Sequence, residues 1–337
     1  MSQFQLTDIK RPTNPPVLPT PQAVQSQGNL DIATLQQTKK KTLGLEPGKP
    51  VGTKAWQPPT DTTAAKPELT SAKDLANLLY FAEKLGAAAP PQPSASGTTD
   101  LGPSAITNST QYPWRAIGKV FVGENNNFAS PIWTGSGCLV GPNLLLTASH
   151  VAPWDRAGGW MRFVPAYYNS AEPYGSSYVA QWRGVKFTGA IGKFDYVVCS
   201  LYTPIGYTVG WLGTHWWGDD SNYTAPHQWL SVGYPGDSFN AQVPMLEQQI
   251  NVKKVIDDGT LGKELDTSYY AHPGWSGGPT WAWFSNQPLA VAVMSGWESF
   301  TDGSIISIAS GGEEMVDLVI WAEQNWPPPP PPPPPSH

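Results

Sequence analysis

From about residue 112 onward, short apolar runs alternate with Gly, Pro, Asn and Asp. The runs are AIGKVFVG, GSGCLVG, LLLTASHV, WMRFVPAYY, YVAQWRGVKF, FDYVVCSLY, HQWLSVGY, EQQINVKKVI, PLAVAVMSGW and SIISIAS. Many short runs bounded by turn-forming residues predict an all-β barrel or sandwich. The pattern changes after residue 310, where Gly311, Gly312, Glu313 and Glu314 lead into MVDLVIWAEQNW. Because acidic residues suit the first turn of a helix, a C-terminal helix is predicted there.

Residues 1–110 have a different composition. They are rich in Pro, Thr, Gln, Ala and Ser and poor in aromatic residues, which predicts a largely disordered region. One helix is expected within it, at about residues 71–85, with an apolar face that could dock on the following domain or stand alone. The region is either a propeptide, cleaved between about residues 108 and 114, or a permanent arm.

Composition and charge narrow the classes of function. The chain has 337 residues, a net charge of −6 and only 14% charged residues, which argues against nucleic acid as a partner because phosphate binding needs a concentrated basic face. The apolar runs are too short for a transmembrane helix, and the N-terminus lacks the apolar segment of a secretory signal. Residues 327–335 are all Pro, which predicts a polyproline II rod that acts as a spacer or binds an SH3-like or WW-like partner.

The sequence offers little for a metal or a disulfide. Cys138 and Cys199 both lie in apolar, strand-like runs, so two buried thiols are favoured over a disulfide. His215, His227 and His272 lack close ligand spacing, and no metal or other cofactor is expected.

Two short strings carry candidate chemistry. TASH, at residues 147–150, offers His150 as a general base, and GWSGGP, at residues 274–279, offers Ser276 as a nucleophile. A serine hydroxyl needs such a base, because it is a poor nucleophile at neutral pH. The backbone N–H groups of Gly274 and Ser276 could converge on the oxygen of a substrate carbonyl and stabilise the negative charge that develops there.

A third group must hold the imidazole in the right tautomer and orientation. Asp195 is the favoured acid, because it stands at the start of the strand-like run DYVVCSL. Asp155, Asp219 and Asp220 are its rivals, and they lie in loop-like and turn-like sequence where capping and turn roles are expected.

These strings, in the order His, Asp, Ser, resemble the chymotrypsin-like serine proteases, and more narrowly their V8-like, glutamyl endopeptidase branch. The strings GYPGD at residues 233–237 and MLE at residues 245–247, the C-terminal helix and the Pro-rich tail support the narrower resemblance. It covers about residues 112–326. It implies a secreted, monomeric enzyme with a polypeptide substrate.

The resemblance also implies a domain plan. Two six-stranded antiparallel β-barrels are expected at residues 111–208 and 209–326, the second including the C-terminal helix. The N-terminal region, residues 1–110, would precede them and a polyproline tail, residues 327–337, would follow. The proposed base and acid would lie in the first barrel and the serine in the second, with the site in the cleft between them.

The chain departs from the family pattern at positions that govern activation and specificity. Trp275 stands where trypsin-like enzymes carry Asp, so activation through a buried N-terminal ammonium is not expected. Ala271 and Met294 stand where glutamyl-specific members hold the substrate carboxylate, and neither side chain can pair with one. His272 is adjacent to Ala271, but one residue along an extended segment points the other way.

The expected substrate contacts follow from these positions. Tyr270, Ala271, Met294 and Trp297 predict an apolar or small P1 side chain. Ser295 and Gly296 are expected to pair with the backbone of an extended substrate.

The leading hypothesis is a serine endopeptidase that works through an acyl-enzyme. A non-catalytic, protease-shaped binding module is one alternative, and an esterase of the α/β-hydrolase type is another. The GWSGG string fits the G-x-S-x-G pattern of α/β-hydrolases, but that fold orders its triad Ser, acid, His. Here only His337 follows Ser276, at the extreme tail.

Overall fold

The computed structural model describes residues 52–57, 103–186, 192–226, 228–257, 261–269, 271–301 and 304–330. Several predictions made from the sequence lie outside these residues. They are the helix at about 71–85, residues His227 and Tyr270, and the proline run from residue 331 onward.

The described residues form fifteen strands and two α-helices. The strands are β1 (Ser104–Ala105), β2 (Ile117–Gly123), β3 (Trp133–Gly141), β4 (Leu144–Thr147), β5 (Trp160–Pro165), β6 (Ser177–Gly184), β7 (Val197–Leu201), β8 (Gly213–Thr214), β9 (Trp229–Gly233), β10 (Met245–Ile250), β11 (Val252–Ile256), β12 (Gly262–Thr267), β13 (Pro279–Phe284), β14 (Gln287–Ser299) and β15 (Ile305–Gly312). The helices are α1 (Gly206–Val209) and α2 (Glu313–Asn325), and short 3₁₀ turns lie at Trp114–Ala116, Ser149–Val151, Asp220–Asn222 and Phe239–Ala241. The predicted all-β architecture with a C-terminal helix is confirmed.

The first half of the folded chain is a closed barrel of six antiparallel strands in the order β2, β3, β4, β7, β6, β5. Large apolar side chains from every strand fill its interior and are fully or almost fully buried, among them Val120, Leu139, Leu145, Phe163 and Val197. Successive side chains of β4 alternate between two cores, since Leu145 lies in the barrel interior whereas Leu144 and Leu146 lie in a second apolar cluster, as expected for a strand buried on both faces.

The second half forms a nine-stranded sheet rather than a plain six-stranded barrel. The extra strands include the two-residue β1, which pairs with β10, and β8, which runs parallel to β14. β10 and β11 lie at opposite sides of the strand order, yet only Asn251 separates them along the chain. The chain therefore bends at Asn251 and passes from one side of the sheet to the other. The pattern of apolar runs could not predict that this stretch forms two strands rather than one.

Helix α2 packs back onto the first barrel. Its apolar face, which includes Met315, Val316 and Val319, shares one core with Leu146 and Val198 of strands β4 and β7. Burial of this face ties the end of the chain to the first half of the fold, so α2 stabilises the arrangement of the two halves.

Residues 52–57, hereafter the docked segment, lie against the second half of the fold. Gly52 forms a β-bridge with His215, and the side chains of Thr53 and Ala55 are buried. The docked segment belongs to the Pro-rich N-terminal region, and its position depends on residues more than a hundred positions away.

Cys138 and Cys199 are free and fully buried, which confirms the prediction of two buried thiols. Burial raises the pKa of both thiols well above the ordinary value, because the thiolate would lose its hydration. Within the described ranges, no helix is long and apolar enough to cross a membrane. The same ranges contain no group of three or more His, Cys, Asp or Glu side chains placed to hold a metal ion.

Candidate active site

His150 and Asp195 form the centre of the site. His150 lies in the 3₁₀ turn Ser149–Val151 after β4, and Asp195 lies just before β7, the strand that pairs with β4. The Nδ1 atom of His150 is 2.6 Å from Oδ2 of Asp195, and the backbone N–H of His150 donates to Oδ1 at 2.9 Å. Both carboxylate oxygens of Asp195 therefore contact His150. They set the position of the imidazole, and Oδ2 holds a proton on Nδ1.

Asp195 is buried and receives a third hydrogen bond. Its side chain is 2% exposed, whereas that of His150 is 23% exposed and open to the cleft. The Ser295 hydroxyl donates to Oδ2 of Asp195 at 2.6 Å, and Ser295 comes from β14 in the second half of the fold. A buried carboxylate needs such partners, because an unpaired buried charge is costly.

The loop that carries Ser276 is shaped by glycines on both sides of it. Gly274 has φ +97° and Gly277 has φ +83°, a region that residues with a Cβ rarely adopt. A Cβ at Gly274 would lie 2.6 Å from the backbone oxygen of Tyr234, so a side chain there would also lack space. The tight turn leaves Ser276 partly exposed between buried neighbours.

Trp275 anchors the same loop. Its ring is fully buried, and its Nε1 donates to the Ser231 hydroxyl at 3.0 Å. A Cβ at Gly233 would overlap this ring, so the glycine of the GYPGD string provides the space that Trp275 fills. Trp275, which stands where trypsin-like enzymes carry Asp, therefore holds the loop by packing.

Ser136 was missed by the sequence analysis, although it lies in the GSGCLVG run. It is fully buried in β3 of the first barrel and contacts the Ser276 loop of the second half. Its backbone N–H donates to the Ser276 oxygen at 2.8 Å, and its hydroxyl donates to the Gly274 oxygen at 2.8 Å. The same hydroxyl accepts the backbone N–H of Tyr234 at 2.9 Å. Ser136 therefore fixes the backbone on both sides of Trp275.

Two glycines bring the two strings together. A Cβ at Gly135 would lie 2.9 Å from the Val151 side chain and 3.0 Å from the Ser276 oxygen, so Gly135 touches the neighbours of both His150 and the serine. A Cβ at Gly277 would lie 2.8 Å from the backbone nitrogen of Ala148 and would overlap other atoms of β3 and β4. The Ser276 loop thus packs against the chain that leads directly into His150.

The backbone N–H groups of Gly274 and Ser276 flank Trp275 in the serine loop. The backbone N–H of Trp275, between them, donates to the His272 oxygen at 3.0 Å. Within the part of the chain that the structure describes, the N–H groups of Gly274 and Ser276 donate to no protein acceptor. These two N–H groups lie beside a partly exposed serine. They can donate to a developing oxyanion without first breaking other hydrogen bonds.

The rival acidic residues occupy other environments. Asp155 is 74% exposed and pairs with Lys186. The side chain of Asp219 caps the 3₁₀ turn that follows it by accepting the Ser221 N–H at 2.9 Å, and Asp220 accepts from Lys263 at 2.7 Å. Asp219 has the capping role expected of it, whereas Asp155 and Asp220 form ion pairs.

The residues expected to contact substrate lie on the chain just before Ser276 and on β14. Ala271 is buried, and its N–H donates to the Ser307 hydroxyl at 2.7 Å. Met294 is also buried, and its backbone bonds Gly277 and Gly278 at 2.8 Å each, which joins β14 to the serine loop.

Beyond Met294, β14 becomes progressively exposed. Gly296 is buried, whereas Trp297, the next residue of β14, is 39% exposed. His272 is engaged by an acidic partner, since its Nδ1 is 2.8 Å from Oδ2 of Asp237.

The described residues thus form a closed barrel that carries the His150–Asp195 pair and a second sheet whose glycine-flanked loop carries Ser276. No family model matches the chain. A solved structure described as a Glu endopeptidase in complex with MPD superposes with a TM-score of 0.50 at 20% identity, covering 66% of this chain and 97% of that one. The protease Anisep from Arthrobacter nicotinovorans gives a TM-score of 0.45 at 21% identity, covering 59% of this chain and 90% of that one.

A curated relative is similar in sequence as well. The glutamyl endopeptidase of Bacillus licheniformis is 30% identical over 141 residues, which cover 39% of this chain. The match spans 40% of that relative's own length. The resemblance to the V8-like branch is confirmed, and the chain has the chymotrypsin-like fold.

Proposed function

We propose that the protein is a serine endopeptidase with a triad of His150, Asp195 and Ser276. The observation that carries this proposal is the buried carboxylate of Asp195, which holds His150 through two hydrogen bonds of 2.6 and 2.9 Å. A histidine fixed in this way keeps a proton on Nδ1 and leaves Nε2 to act as a base. The sequence relationship to a glutamyl endopeptidase supports the same class of activity.

The proposed reaction proceeds in two halves. His150 Nε2 takes the proton of Ser276 as its oxygen attacks the scissile carbonyl carbon. The carbonyl oxygen becomes an oxyanion held by the N–H groups of Gly274 and Ser276, and each such donor is worth about 3–4 kcal/mol. The C–N bond then breaks, the leaving amine takes the proton from His150, and an acyl-enzyme remains. Water activated by His150 cleaves the ester and restores the serine.

Asp195 stays ionised throughout this sequence. It stabilises the imidazolium that forms when His150 takes the serine proton, and it does not itself become protonated. Ser295 is a positioning residue, because it donates to Asp195 and reaches the substrate only through its backbone in this proposal.

The test is proteolysis of an unfolded protein substrate by matched serine variants. Ser276→Ala is expected to abolish cleavage, whereas Ser221→Ala, at an exposed serine in a distant 3₁₀ turn, is expected to leave cleavage unchanged. If the folded wild-type protein cleaves neither peptide bonds nor simple esters, the binding-module alternative replaces the enzyme. If it cleaves simple esters but no peptide bond, the esterase alternative replaces the endopeptidase.

We also propose that the P1 side chain is apolar or small. The support is the burial of Ala271 and Met294 beside the serine loop, since neither offers a hydrogen-bond donor from its side chain. The name of the curated relative indicates a glutamyl preference for that protein. A peptide library with every residue at P1 separates the two possibilities, and a preference for Glu over Ala and Leu would overturn this part of the proposal.

A further inference from the structure

The docked segment lies beside β8 and is held there by hydrogen bonds. The N–H of Thr53 donates to the Thr214 oxygen at 2.9 Å, and the N–H of Thr214 donates to Oγ1 of Thr53 at 3.0 Å. The two threonine hydroxyls are 3.0 Å apart. Because β8 pairs with β14 through Gly213 and Thr214, the docked segment extends the second sheet outward by one more layer of backbone hydrogen bonds.

The side chains of the docked segment alternate between buried and exposed. Thr53 is 7% exposed and Ala55 is 4% exposed, whereas Lys54 points to solvent. The N–H of Ala55 donates to Oε1 of Gln287 at 3.3 Å. A period of two with one buried face is typical of a strand seated on a matching surface.

Trp56 contacts the surface through both its ring and its backbone. Its ring centroid is 5.0 Å from that of Tyr112, and the guanidinium of Arg115 lies 5.3 Å from the ring centre. The backbone N–H of Trp56 donates to the backbone oxygen of Trp211 at 3.0 Å. In return, the ring Nε1 of Trp211 donates to the backbone oxygen of Lys54 at 3.1 Å. An aromatic anchor with a stacked cation and satisfied backbone groups is the kind of contact that dominates protein interfaces.

The receiving surface has glycines where the docked segment passes closest. A Cβ at Gly213 would lie 2.7 Å from the Ala55 nitrogen, and a Cβ at Gly210 would lie 3.0 Å from the Trp56 ring. Both positions therefore accept the docked segment only because a side chain is absent. The absence of side chains at Gly210 and Gly213 leaves the space that residues 52–57 occupy.

We propose that the docked segment is a noncovalent anchor, which keeps the N-terminal region bound to the second half of the fold even after the chain is cut between residues 58 and 102. The occupant of this surface is the protein's own segment, held by the contacts of Thr53, Ala55 and Trp56. The proposal is independent of the proposed catalytic function, because none of its contacts involves the triad.

The anchor lies well away from the candidate active site. β8 pairs with Leu289 and Ala290 of β14, and Ser295 lies further along the same strand, roughly 16 Å from Ala290 at the usual rise per residue. The contacts of residues 52–57 therefore do not involve the Ser276 loop. A proteolytic cut between residues 58 and 102 would therefore break the chain without releasing the N-terminal fragment.

The experiment uses the full chain with a cleavage site for a sequence-specific protease inserted near residue 80. After cutting, the affinity of the N-terminal fragment for the remainder is measured by its dissociation on dilution. Trp56→Ala is expected to weaken the affinity at least about tenfold, because the ring contacts with Tyr112 and Arg115 are lost. Thr53→Ala removes only the hydroxyl contacts and is expected to weaken it less. Lys54→Ala, in the same segment but with an exposed side chain, is the matched control and should change it less than about twofold.

The outcomes separate clearly. Retention of the fragment by the wild type and by Lys54→Ala, with loss in Trp56→Ala, supports the anchor. Immediate dissociation from the wild type overturns the proposal, and so does equal retention in Trp56→Ala and Lys54→Ala, because other contacts would then hold the fragment. Retention that occurs only in dimers would mean that the segment docks on a second copy, which also overturns the intramolecular anchor.

Discussion

Replacing Asp195 by Asn tests the His–Asp pair with almost no change of size. The amide oxygen can accept the backbone N–H of His150, as Oδ1 does now at 2.9 Å. The NH₂ group then faces Nδ1 of His150, in the place where Oδ2 lies at 2.6 Å. Because an NH₂ group donates, Nδ1 must accept, and the ring proton moves to Nε2. In that tautomer His150 cannot take a proton from Ser276.

The expected loss is large because the wrong tautomer removes the base altogether. A substitution of this kind within a triad lowers the rate about 10⁴-fold, which corresponds to about 5 kcal/mol in the activation free energy. The assay is the second-order rate constant for labelling by a fluorophosphonate, with unfolding by denaturant measured in parallel to establish that the variant is folded.

The matched control is Asp155→Asn. Asp155 is 74% exposed, and its surface pair with Lys186 is worth at most about 1 kcal/mol, so the labelling rate should not change. A folded Asp195→Asn variant that labels within tenfold of the wild type would refute the assignment of the acid. A loss of labelling in Asp155→Asn alone would transfer the role to that rival.

Three further predictions concern positions around the site and in the first barrel. Gly277→Ala should lower the free energy of unfolding by more than about 3 kcal/mol, because the new Cβ would overlap Thr147 in addition to straining a positive φ. Gly175→Ala is its control, since φ there is +72° but nothing lies within 4 Å of the new Cβ, and equal losses in chemical denaturation would contradict the packing argument. Ser136→Ala should lower the labelling rate about tenfold or more, since it leaves buried partners unsatisfied at about 1–3 kcal/mol each, and an unchanged rate would show that the loop is held without it. Burial lowers the pKa of Lys119 from 10.5 to about 8, so the unfolded chain binds more protons between these values and folding stability should rise with pH across that window. Denaturation at pH 7 and pH 10 should show the wild type gaining up to about 3 kcal/mol relative to Lys119→Met, and a constant difference would contradict the lowered pKa.

The sequence predicted the parts of the site that are local. TASH, GWSGGP and the start of β7 are short strings in which residue type and spacing already limit the chemistry, and the structure places His150 and Asp195 at hydrogen-bond distance. The choice of Asp195 over Asp155 rested on its position before a buried strand. Strand pairing explains why that position matters, because β4 and β7 are neighbours.

The sequence could not predict contacts that exist only when distant strands meet. Ser136 reads as one small residue among glycines, and its role depends on a loop 138 residues away. Ser295 was expected to meet substrate through its backbone, and its hydroxyl contact with Asp195 spans 100 residues. Likewise, the Pro-rich composition around the docked segment gave no sign that Trp56 would find Tyr112 and Trp211. Such contacts depend on tertiary packing, which overrides local composition.

The most direct test of the central claim is to locate the covalent adduct after the folded protein reacts with a fluorophosphonate. Mass spectrometry of the digested protein should find one adduct per chain, on Ser276, and none when the protein is unfolded before the reaction. The unfolded sample is the control, because only the folded chain holds His150 and the serine loop together. No adduct on the folded wild type, or an adduct on a serine other than Ser276, would contradict the account.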